Sequence, residues 1–433
     1  MKPKIKGGLG PFLLLWSTQS LSSLGSAMTS FALVIWSYQQ QGSALTTSLL
    51  SVCSYAPYVL MSIFAGALSD KWNKKMTMLL SDSFAALCTV AVLLLSRSGS
   101  LQVWHLYLLN ALNGLMNTVQ QPASAVAVSL LTPRRYYQKV GGMQSLSNSL
   151  NTVLTPVIAS ALLALGSLQT VIWFDLFTCA VAVATLALCI KIPPADTESA
   201  ASRESVLASA AQGLRYLKRH RGILDLILFL AAINLTASMY NAALPAMLLS
   251  RANGGEPALG IVNTCTGLAA LAGSVVASLA PAPKSRVRVI GNALLFAMST
   301  ENILLSLGKS TPVWCLGAVL GWIAIPLMNA NMDALLRSYI PVEMQGRVYS
   351  ARNTLQFFTI PVGYLMGGVL VDKVFEPLMA RQDGGGWLAV LFGSGKGAGA
   401  ALLFFFLAIL GVATCLVFRR DTHIRALEPE QLM

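Results

Sequence analysis

Long apolar runs recur along the whole chain and constrain its fold more than any other feature. An α-helix needs about 20 mostly apolar residues to cross the hydrocarbon core of a bilayer. Twelve runs of this kind are predicted as spans. The first six cover 10–37, 45–69, 76–96, 102–130, 142–166 and 168–190, and the second six cover 222–249, 258–281, 288–307, 311–336, 348–372 and 398–418. We therefore predict an all-α membrane protein whose twelve transmembrane helices form two six-helix halves.

The composition favours a membrane protein over two other classes. Charged residues make up 11% of the chain and hydrophobic residues 55%, whereas a soluble domain is about 25% charged. A disordered chain requires low hydrophobicity and high charge, so this class is excluded. The same composition argues against a soluble enzyme.

The basic residues follow the predicted loops and give the topology. The net charge of +13 raises the possibility of nucleic-acid binding. With the N-terminus inside, however, 24 of the 30 Lys and Arg residues fall on the inner side. The six on the outer side are Arg97, Arg251, Lys309, Lys373, Arg381 and Lys396. This asymmetry follows the positive-inside rule. It predicts that both termini are cytoplasmic and that the charge is no nucleic-acid footprint.

A polar segment in the middle of the chain separates the two predicted halves. We assign residues 1–191 to the N-terminal half, 192–221 to a cytoplasmic linker and 222–433 to the C-terminal half. Residues 205–220 have the pattern of a short amphipathic helix with a basic end. Such a helix either rests on anionic headgroups or is a solvated linker, and the sequence leaves both alternatives open.

The two halves share a loop pattern that indicates an internal duplication. Residues 133–140 and 341–348 each begin with proline, carry a basic residue six positions later and end with valine. Each segment precedes a span with an interior proline, Pro156 or Pro361. Six-helix halves in parallel repeat are a transporter architecture, so we expect two related bundles.

The most specific motif lies between the second and third spans. It contains Gly66, Leu68, Asp70, Lys74 and Lys75. This spacing resembles the G-x-L-x-D-x-x-x-R/K-K loop of the major facilitator superfamily. The resemblance implies a gating loop in which the glycine allows close helix packing, the acid pairs with a cation of a neighbouring helix and the lysines anchor the loop at the inner leaflet. The corresponding segment of the second half, 279–286, keeps basic residues but lacks the acid.

Within the superfamily, the chain is most similar to the macrolide-efflux drug exporters. The resemblance rests on segments 22–26, 42–44, 66–75, 80–82, 122–123 and 341–348, of which the last contributes Gly346 and Arg347 to the gating residues. It implies the major facilitator fold in a bacterial cytoplasmic membrane and export of amphipathic small molecules, macrolide-like drugs among them, by proton antiport. A siderophore, a peptide or a lipid-like metabolite is the alternative substrate. We expect a monomer that acts on a small molecule and protons.

No enzyme chemistry is predicted from the residues. The His and Cys residues show no zinc or haem spacing, and no clustered acid, His or Ser constellation is evident. The sequence also lacks a complete phosphate-binding loop of the G-x-x-x-x-G-K-[ST] type. We therefore expect a non-enzymatic protein without a metal or a cofactor.

Three acidic residues fall at membrane depth and are candidates for proton coupling. They are Asp82, Asp175 and Glu301. Ionisable groups inside spans are costly and therefore functional candidates. Each has a structural alternative as a hydrogen-bonded packing group between helices, and the sequence alone leaves these alternatives open.

Polar and aromatic residues in four spans are the substrate-cavity candidates. The fold resemblance implies that spans one, four, seven and ten surround a central cavity. The candidates are Trp16, Gln19, Asn110, Asn113, Asn117, Gln121, Asn234, Tyr240, Asn241, Trp322 and Asn329. The four amides of span four are spaced three or four residues apart, so they share one helical face. Amides facing lipid would be expensive, and this favours a watery cavity.

Overall fold

Helices make up the regular structure of the described part of the chain. The computed structural model describes residues 9–133, 136–193, 206–281, 283–340, 342–382 and 386–427, and within them no strand occurs. The helices are α1 (Gly10–Gln41), α2 (Ala44–Lys71), α3 (Lys74–Arg97), α4 (Val103–Leu131), α5 (Tyr137–Leu165), α6 (Leu168–Leu188), α7 (Val206–Arg219), α8 (Arg221–Ser250), α9 (Glu256–Leu279), α10 (Arg286–Leu307), α11 (Thr311–Ile323), α12 (Ile325–Tyr339), α13 (Val342–Phe357), α14 (Thr359–Val369), α15 (Glu376–Ala380), α16 (Trp387–Phe392), α17 (Ala398–Arg420) and α18 (Thr422–Arg425). A π-helical turn, Leu370–Phe375, joins α14 to α15.

Eleven helical stretches of the described residues are long and apolar enough to cross a membrane. They match eleven of the predicted spans and confirm the all-α membrane fold. The fourth predicted span is α4, whose 29 residues also suffice for a crossing. It is not among the eleven because its amide side chains lower its hydropathy. The eleventh span continues to Ala380, beyond the predicted end at residue 372.

Prolines explain where two predicted spans are divided into shorter helices. The tenth span breaks at Ala324, two residues before Pro326, and the eleventh breaks at Phe358, three residues before Pro361. A proline ring clashes with the carbonyl four residues earlier and removes one backbone hydrogen bond. Neighbouring helices satisfy the freed groups in a membrane protein, so each span continues after its break.

Backbone contacts divide the chain into two compact units. Unit 1 comprises residues 1–36 and 53–204, and unit 2 comprises residues 37–52 and 205–433. The end of α1 and the start of α2 therefore belong to unit 2, although the rest of both helices lies in unit 1. The predicted division at residues 191 and 222 follows the sequence order and stays a prediction.

Each unit has its own buried core. In unit 1, Phe12 and Leu15 of α1 pack with Met78 of α3 and Leu186 of α6. In unit 2, a buried core cluster draws on α8, α10, α12, α13 and α17. There the ring of Phe229 stacks on Phe418 with centroids 4.0 Å apart. Such aromatic pairs add to the stabilisation that burial of their surface provides.

The linker helix α7 is partly integrated into the core of unit 2. Leu217 is fully buried and packs with Ile223 and Ile424. The hydroxyl of Tyr216 donates a hydrogen bond to the backbone carbonyl of Tyr339 at 3.2 Å. The last turn of α7 is thus held by protein contacts, an arrangement that the sequence reasoning did not consider.

Candidate functional site

A cavity of about 1030 Å³ lies within unit 1. Helices α1 to α6 all contribute to its wall. The lining includes every cavity candidate predicted in the first half, namely Trp16, Gln19, Asn110, Asn113, Asn117 and Gln121. Its volume lies at the upper end of the range for ligand pockets, so it can hold a bulky organic molecule.

The amide stripe of α4 lies along this wall, as its spacing predicts. Asn110 donates to the carbonyl of Leu106 on its own helix at 2.8 Å, which leaves its side-chain oxygen available. Gln121 accepts from the hydroxyl of Tyr58 at 3.0 Å. The side-chain oxygen of Asn113 is buried without a hydrogen-bond partner among the described residues. An unpaired buried acceptor is costly, so a ligand donor that reached it would remove that cost.

Asp82 is a buried acid at the wall of the cavity. Its side chain is 8% exposed, and Nε2 of Gln19 donates to its carboxylate at 2.9 Å. Gln120 donates to the other carboxylate oxygen. The sequence reasoning missed Gln120, although its position seven residues after Asn113 places it on the amide face of α4. Hydrogen bonds of this kind stabilise the ionised form of a carboxyl group.

Asp175 also lines the cavity and is even more buried than Asp82. Ser26 of α1 donates to its carboxylate at 3.0 Å. Gly25 makes this approach possible, because a Cβ at that position would lie 2.9 Å from Cα of Asp175. Between the two acids, the thiol of Cys179 contacts the backbone carbonyl of Asp82 at 3.7 Å.

The charge of the cavity wall is entirely acidic. Among the described residues that line it, none is Lys or Arg, and Asp82 and Asp175 are its two carboxylates. Aromatic rings, amides and hydroxyls form much of the remaining surface. This combination favours an uncharged or basic ligand over an anionic one.

Glu301 lies in a separate, tightly packed cluster of unit 2. It is 5% exposed and accepts a hydrogen bond from Nε1 of Trp322 at 3.0 Å. The buried hydroxyl of Tyr240 faces the same carboxylate. Gly321 provides the space, since a Cβ there would lie 2.7 Å from Cβ of Glu301. The structure thus brings together one predicted coupling acid and two predicted cavity residues.

The other predicted cavity residues of unit 2 do not join this cluster. Asn234 donates to the backbone carbonyl of Gln356 at 3.3 Å. Asn241 and Asn329 are exposed. Their role as substrate contacts stays a prediction.

The gating loop is described only in part. The described part of the structure gives no side-chain environment for four of the gating residues, namely Gly66, Asp70, Gly346 and Arg347. Lys74 is buried, and Nζ donates to the carbonyl of Trp72 at 3.3 Å.

Lys75 has a contact that the motif did not indicate. Its Nζ donates to the carbonyl of Ala187 at 2.9 Å and to that of Ile190 at 2.7 Å. These carbonyls belong to the end of α6, where a cation complements the helix dipole. Lys75 therefore ties the start of α3 to the end of α6.

Among the described residues, one group of possible metal ligands occurs near the end of α17. Nδ1 of His423 lies 3.0 Å from Asp225 and 3.9 Å from Asp421. Asp421 is also the N-cap of α18, because its carboxylate accepts from the backbone N–H groups of His423 and Ile424. Hydrogen bonds within the protein thus account for this cluster.

Comparison with known proteins relates both the sequence and the fold to transporters. The profile of the Major Facilitator Superfamily matches residues 15–364. Macrolide efflux protein A of Streptococcus pyogenes is 21% identical over 366 residues, which cover 84% of this chain and 90% of that protein. The multidrug efflux pump Tap of Mycolicibacterium fortuitum is 24% identical over 382 residues and covers the same shares.

Solved structures share the fold at low sequence identity. A bacterial homolog of the human lysosomal transporter Spinster superposes with a TM-score of 0.71 at 15% identity, over 98% of this chain and 100% of that one. A bacterial homologue of the iron transporter ferroportin superposes with a TM-score of 0.69 at 15% identity, over 96% and 99% of the two chains.

Proposed function

Because this chain belongs to the major facilitator superfamily and is a transport protein, we propose that it exports amphipathic small molecules, macrolide-like drugs among them, by proton antiport with alternating access. The cavity of unit 1 carries the proposal. Its size suits a bulky ligand, and its amides and aromatic rings suit an amphipathic one. The efflux proteins among the relatives support the direction of transport.

The acidic wall also favours one substrate class over the alternative. A siderophore with several ionised oxygens would meet two carboxylates and no cation among the described lining residues. Like charges in a desolvated pocket repel strongly. A neutral or basic amphiphile avoids this repulsion, so we favour drug-like compounds over anionic metabolites. Export of an enterobactin-like metabolite, as the name of one relative indicates for that protein, is the alternative outcome of the test.

Asp82 is our preferred proton site. It lines the cavity, and two glutamine side chains that also line the cavity hold its carboxylate. A proton that binds this carboxylate replaces an anion by a neutral acid, and a basic substrate meets the anion only when the proton has left. Proton and substrate then compete for one site, as exchange requires. Asp175 is the second candidate. We propose a structural role for Glu301, because it accepts a hydrogen bond from Trp322 and is not among the residues that line this cavity.

The proposed orientation follows from the basic residues. In a cytoplasmic membrane, the positive-inside rule favours a topology in which 24 Lys and Arg residues and both termini lie on the cytoplasmic side. Export then means that substrate enters the cavity from the cytoplasmic side or the inner leaflet. Protons enter it from the outside.

Transport into inverted vesicles tests the proposal directly. Vesicles with an acidic interior should accumulate a radiolabelled macrolide, and a protonophore should abolish this accumulation. One pH unit corresponds to about 1.4 kcal/mol, which supports up to about tenfold accumulation for one-to-one exchange. Uptake that ignores the gradient would exclude antiport. If only anionic metabolites are transported, the drug assignment is wrong.

Carboxyl-to-amide variants identify the proton site. Asp82→Asn should remove the response to the pH gradient while the variant still folds. Asp333→Asn is the matched control, because Asp333 is 57% exposed and contacts Arg352 at 3.6 Å outside the cavity wall. Loss of coupling in Asp175→Asn but not in Asp82→Asn would reassign the site to Asp175.

A further inference from the structure

Residues 37–52 form a corner that joins α1 to α2, and it is held by unit 2. We call this segment the α1–α2 corner. It is the one part of the first 204 residues that clusters with the rest of unit 2. The hydroxyl of Tyr38 donates to the carbonyl of Ala246 on α8 at 3.1 Å, and Gln39 donates to Glu256 at the start of α9. The corner is therefore docked at both of its helices.

A single carboxylate accepts three hydrogen bonds on the α2 side of the corner. Asp372 accepts from the hydroxyl of Ser43 at 2.5 Å, from the backbone N–H of Ala44 at 3.0 Å and from that of Leu45 at 2.8 Å. The first N–H groups of a helix lack partners within it and attract anions. Asp372 therefore caps α2 from a helix more than 300 residues further along the chain.

Shape reinforces this contact. Gly368 lies one helical turn before Asp372, so both face the same way. A Cβ on Gly368 would lie 2.7 Å from Cα of Leu45 and 3.0 Å from Cβ of Ser48. The first turn of α2 thus packs directly against the backbone at Gly368, and its N–H groups contact the carboxylate of Asp372.

The element that presents Asp372 is unusual and firmly supported. Asp372 lies in the π-helical turn, and π turns inside α-helices are rare and frequent at functional sites. Gly399 of α17 lets this turn approach closely, because a Cβ there would lie 2.5 Å from the backbone carbon of Phe375. The ring of Phe375 also stacks on Phe406 of α17 at 5.2 Å. The carboxylate therefore has a fixed position in unit 2.

The corner keeps its own cap when the carboxylate is removed. The hydroxyl oxygen of Ser43 accepts from the backbone N–H of Thr46 at 3.1 Å, which is a local N-cap. The start of α2 can therefore remain helical without Asp372. A contact that is dispensable for local folding is suited to repeated formation and release.

From these contacts we propose that Asp372 is a releasable latch, which holds the α1–α2 corner on unit 2 in one state of the transport cycle and lets it go in another. The inference rests on the proposed function only in that a transport cycle gives the release a purpose. The charge pattern predicts that the neighbouring Lys373 lies on the outer side, so the latch would lie at the outer ends of its helices.

Distance measurement between spin labels tests the latch without any substrate. Gln40 in the corner and Val390 in α16 are both exposed, so Gln40→Cys and Val390→Cys suit labelling in a background without other cysteines. The otherwise unmodified protein should give one main distance. Asp372→Ala and Asp372→Asn should add a longer component, with the released-to-docked ratio raised at least about tenfold, which corresponds to about 1.4 kcal/mol.

Asparagine is the sharper of the two substitutions. Each carboxylate oxygen of Asp372 accepts one backbone N–H, so the amide of Asn necessarily turns an NH₂ group toward one of these donors. Asp372→Glu keeps both acceptors and should restore part of the docked population. Ser43→Ala, which removes one donor, should give an intermediate ratio.

The controls separate the latch from general destabilisation and from the proposed function. Lys373→Gln changes an exposed neighbouring charge and should leave the distances unchanged. Unchanged distances in both Asp372→Ala and Asp372→Asn would overturn the latch, as would an equal shift in Lys373→Gln. Because no transported compound is needed, failure of the drug-export assay leaves this result interpretable.

Discussion

Replacement of Gly114 by alanine should push two helices of unit 1 apart. A Cβ at Gly114 would overlap the backbone carbonyl oxygen of Ser54 and lie 3.0 Å from its carbonyl carbon and 3.3 Å from its Cα. These atoms belong to the backbone of α2 and cannot rotate away as a side chain would. The overlap is relieved only if α2 and α4 separate, and small residues at such crossings are what allow membrane helices to approach closely.

The expected cost follows from two opposing contributions. Forcing an extra methyl group into a packed interior costs about 1–3 kcal/mol, and alanine favours a helix over glycine by up to about 1 kcal/mol. With the full propensity gain, the net loss for Gly114→Ala is therefore about 0–2 kcal/mol. Gly10→Ala is the matched control, because no atom lies within 4 Å of its Cβ position. It gains helix propensity without a clash.

Thermal unfolding of the purified protein in detergent measures the difference. We expect Gly114→Ala to melt a few degrees below the unmodified protein and Gly10→Ala to melt at the same temperature or slightly higher. Gly114→Val should melt lower still. If Gly114→Ala melts no lower than Gly10→Ala, the close contact between α2 and α4 is not a constraint on stability, and the reasoning from the glycine is refuted.

Two further substitutions test the packing of unit 2 by the same melting assay. Gly321→Ala should displace the carboxyl group of Glu301 and break its hydrogen bond to Trp322. This leaves a buried acceptor unpaired and should lower the melting temperature by several degrees. A melting temperature equal to that of the unmodified protein would contradict the close packing of Gly321 against Glu301. Phe229→Ala should cost about 3–5 kcal/mol because the ring is buried, whereas Phe177→Ala should cost far less because Phe177 is 67% exposed; equal losses would contradict the assignment of the core.

The fold could be predicted from the sequence because one physical requirement sets the length of its helices. Each crossing of a bilayer needs an apolar helix of a minimum length, so the spans can be identified as long apolar runs. The spacing of the amides in α4 predicted that Asn110, Asn113, Asn117 and Gln121 share a wall, and the structure places all four at the cavity of unit 1.

Contacts between distant helices could not be predicted in the same way. The approach of Glu301 to Trp322 and Tyr240 depends on how three helices are rotated about their axes, and no apolar pattern encodes that rotation at single-residue precision. The importance of Gly321 can be recognised only once Glu301 is known to be its neighbour, because the missing side chain matters only where another group fills the space. The π-helical turn that presents Asp372 could not be predicted either, because its sequence is compatible with an ordinary α-helix.

The distribution of polar groups explains why the exchange chemistry is assigned to unit 1. In the apolar part of α5 only 11% of the residues are buried, against 56% in that of α8 of unit 2. α5 is therefore less tightly packed than α8, and its Gln144, Ser147 and Asn151 line the cavity. Amides and hydroxyls keep their hydrogen-bonding capacity at any pH, and they can solvate many ligands without selecting one charge. In the proposed mechanism the acids are then the cavity groups whose charge changes. A wall of fixed neutral groups around one or two titratable carboxyls makes the charge of the cavity depend on the proton alone, which is the condition under which a proton gradient can drive out a basic amphiphile.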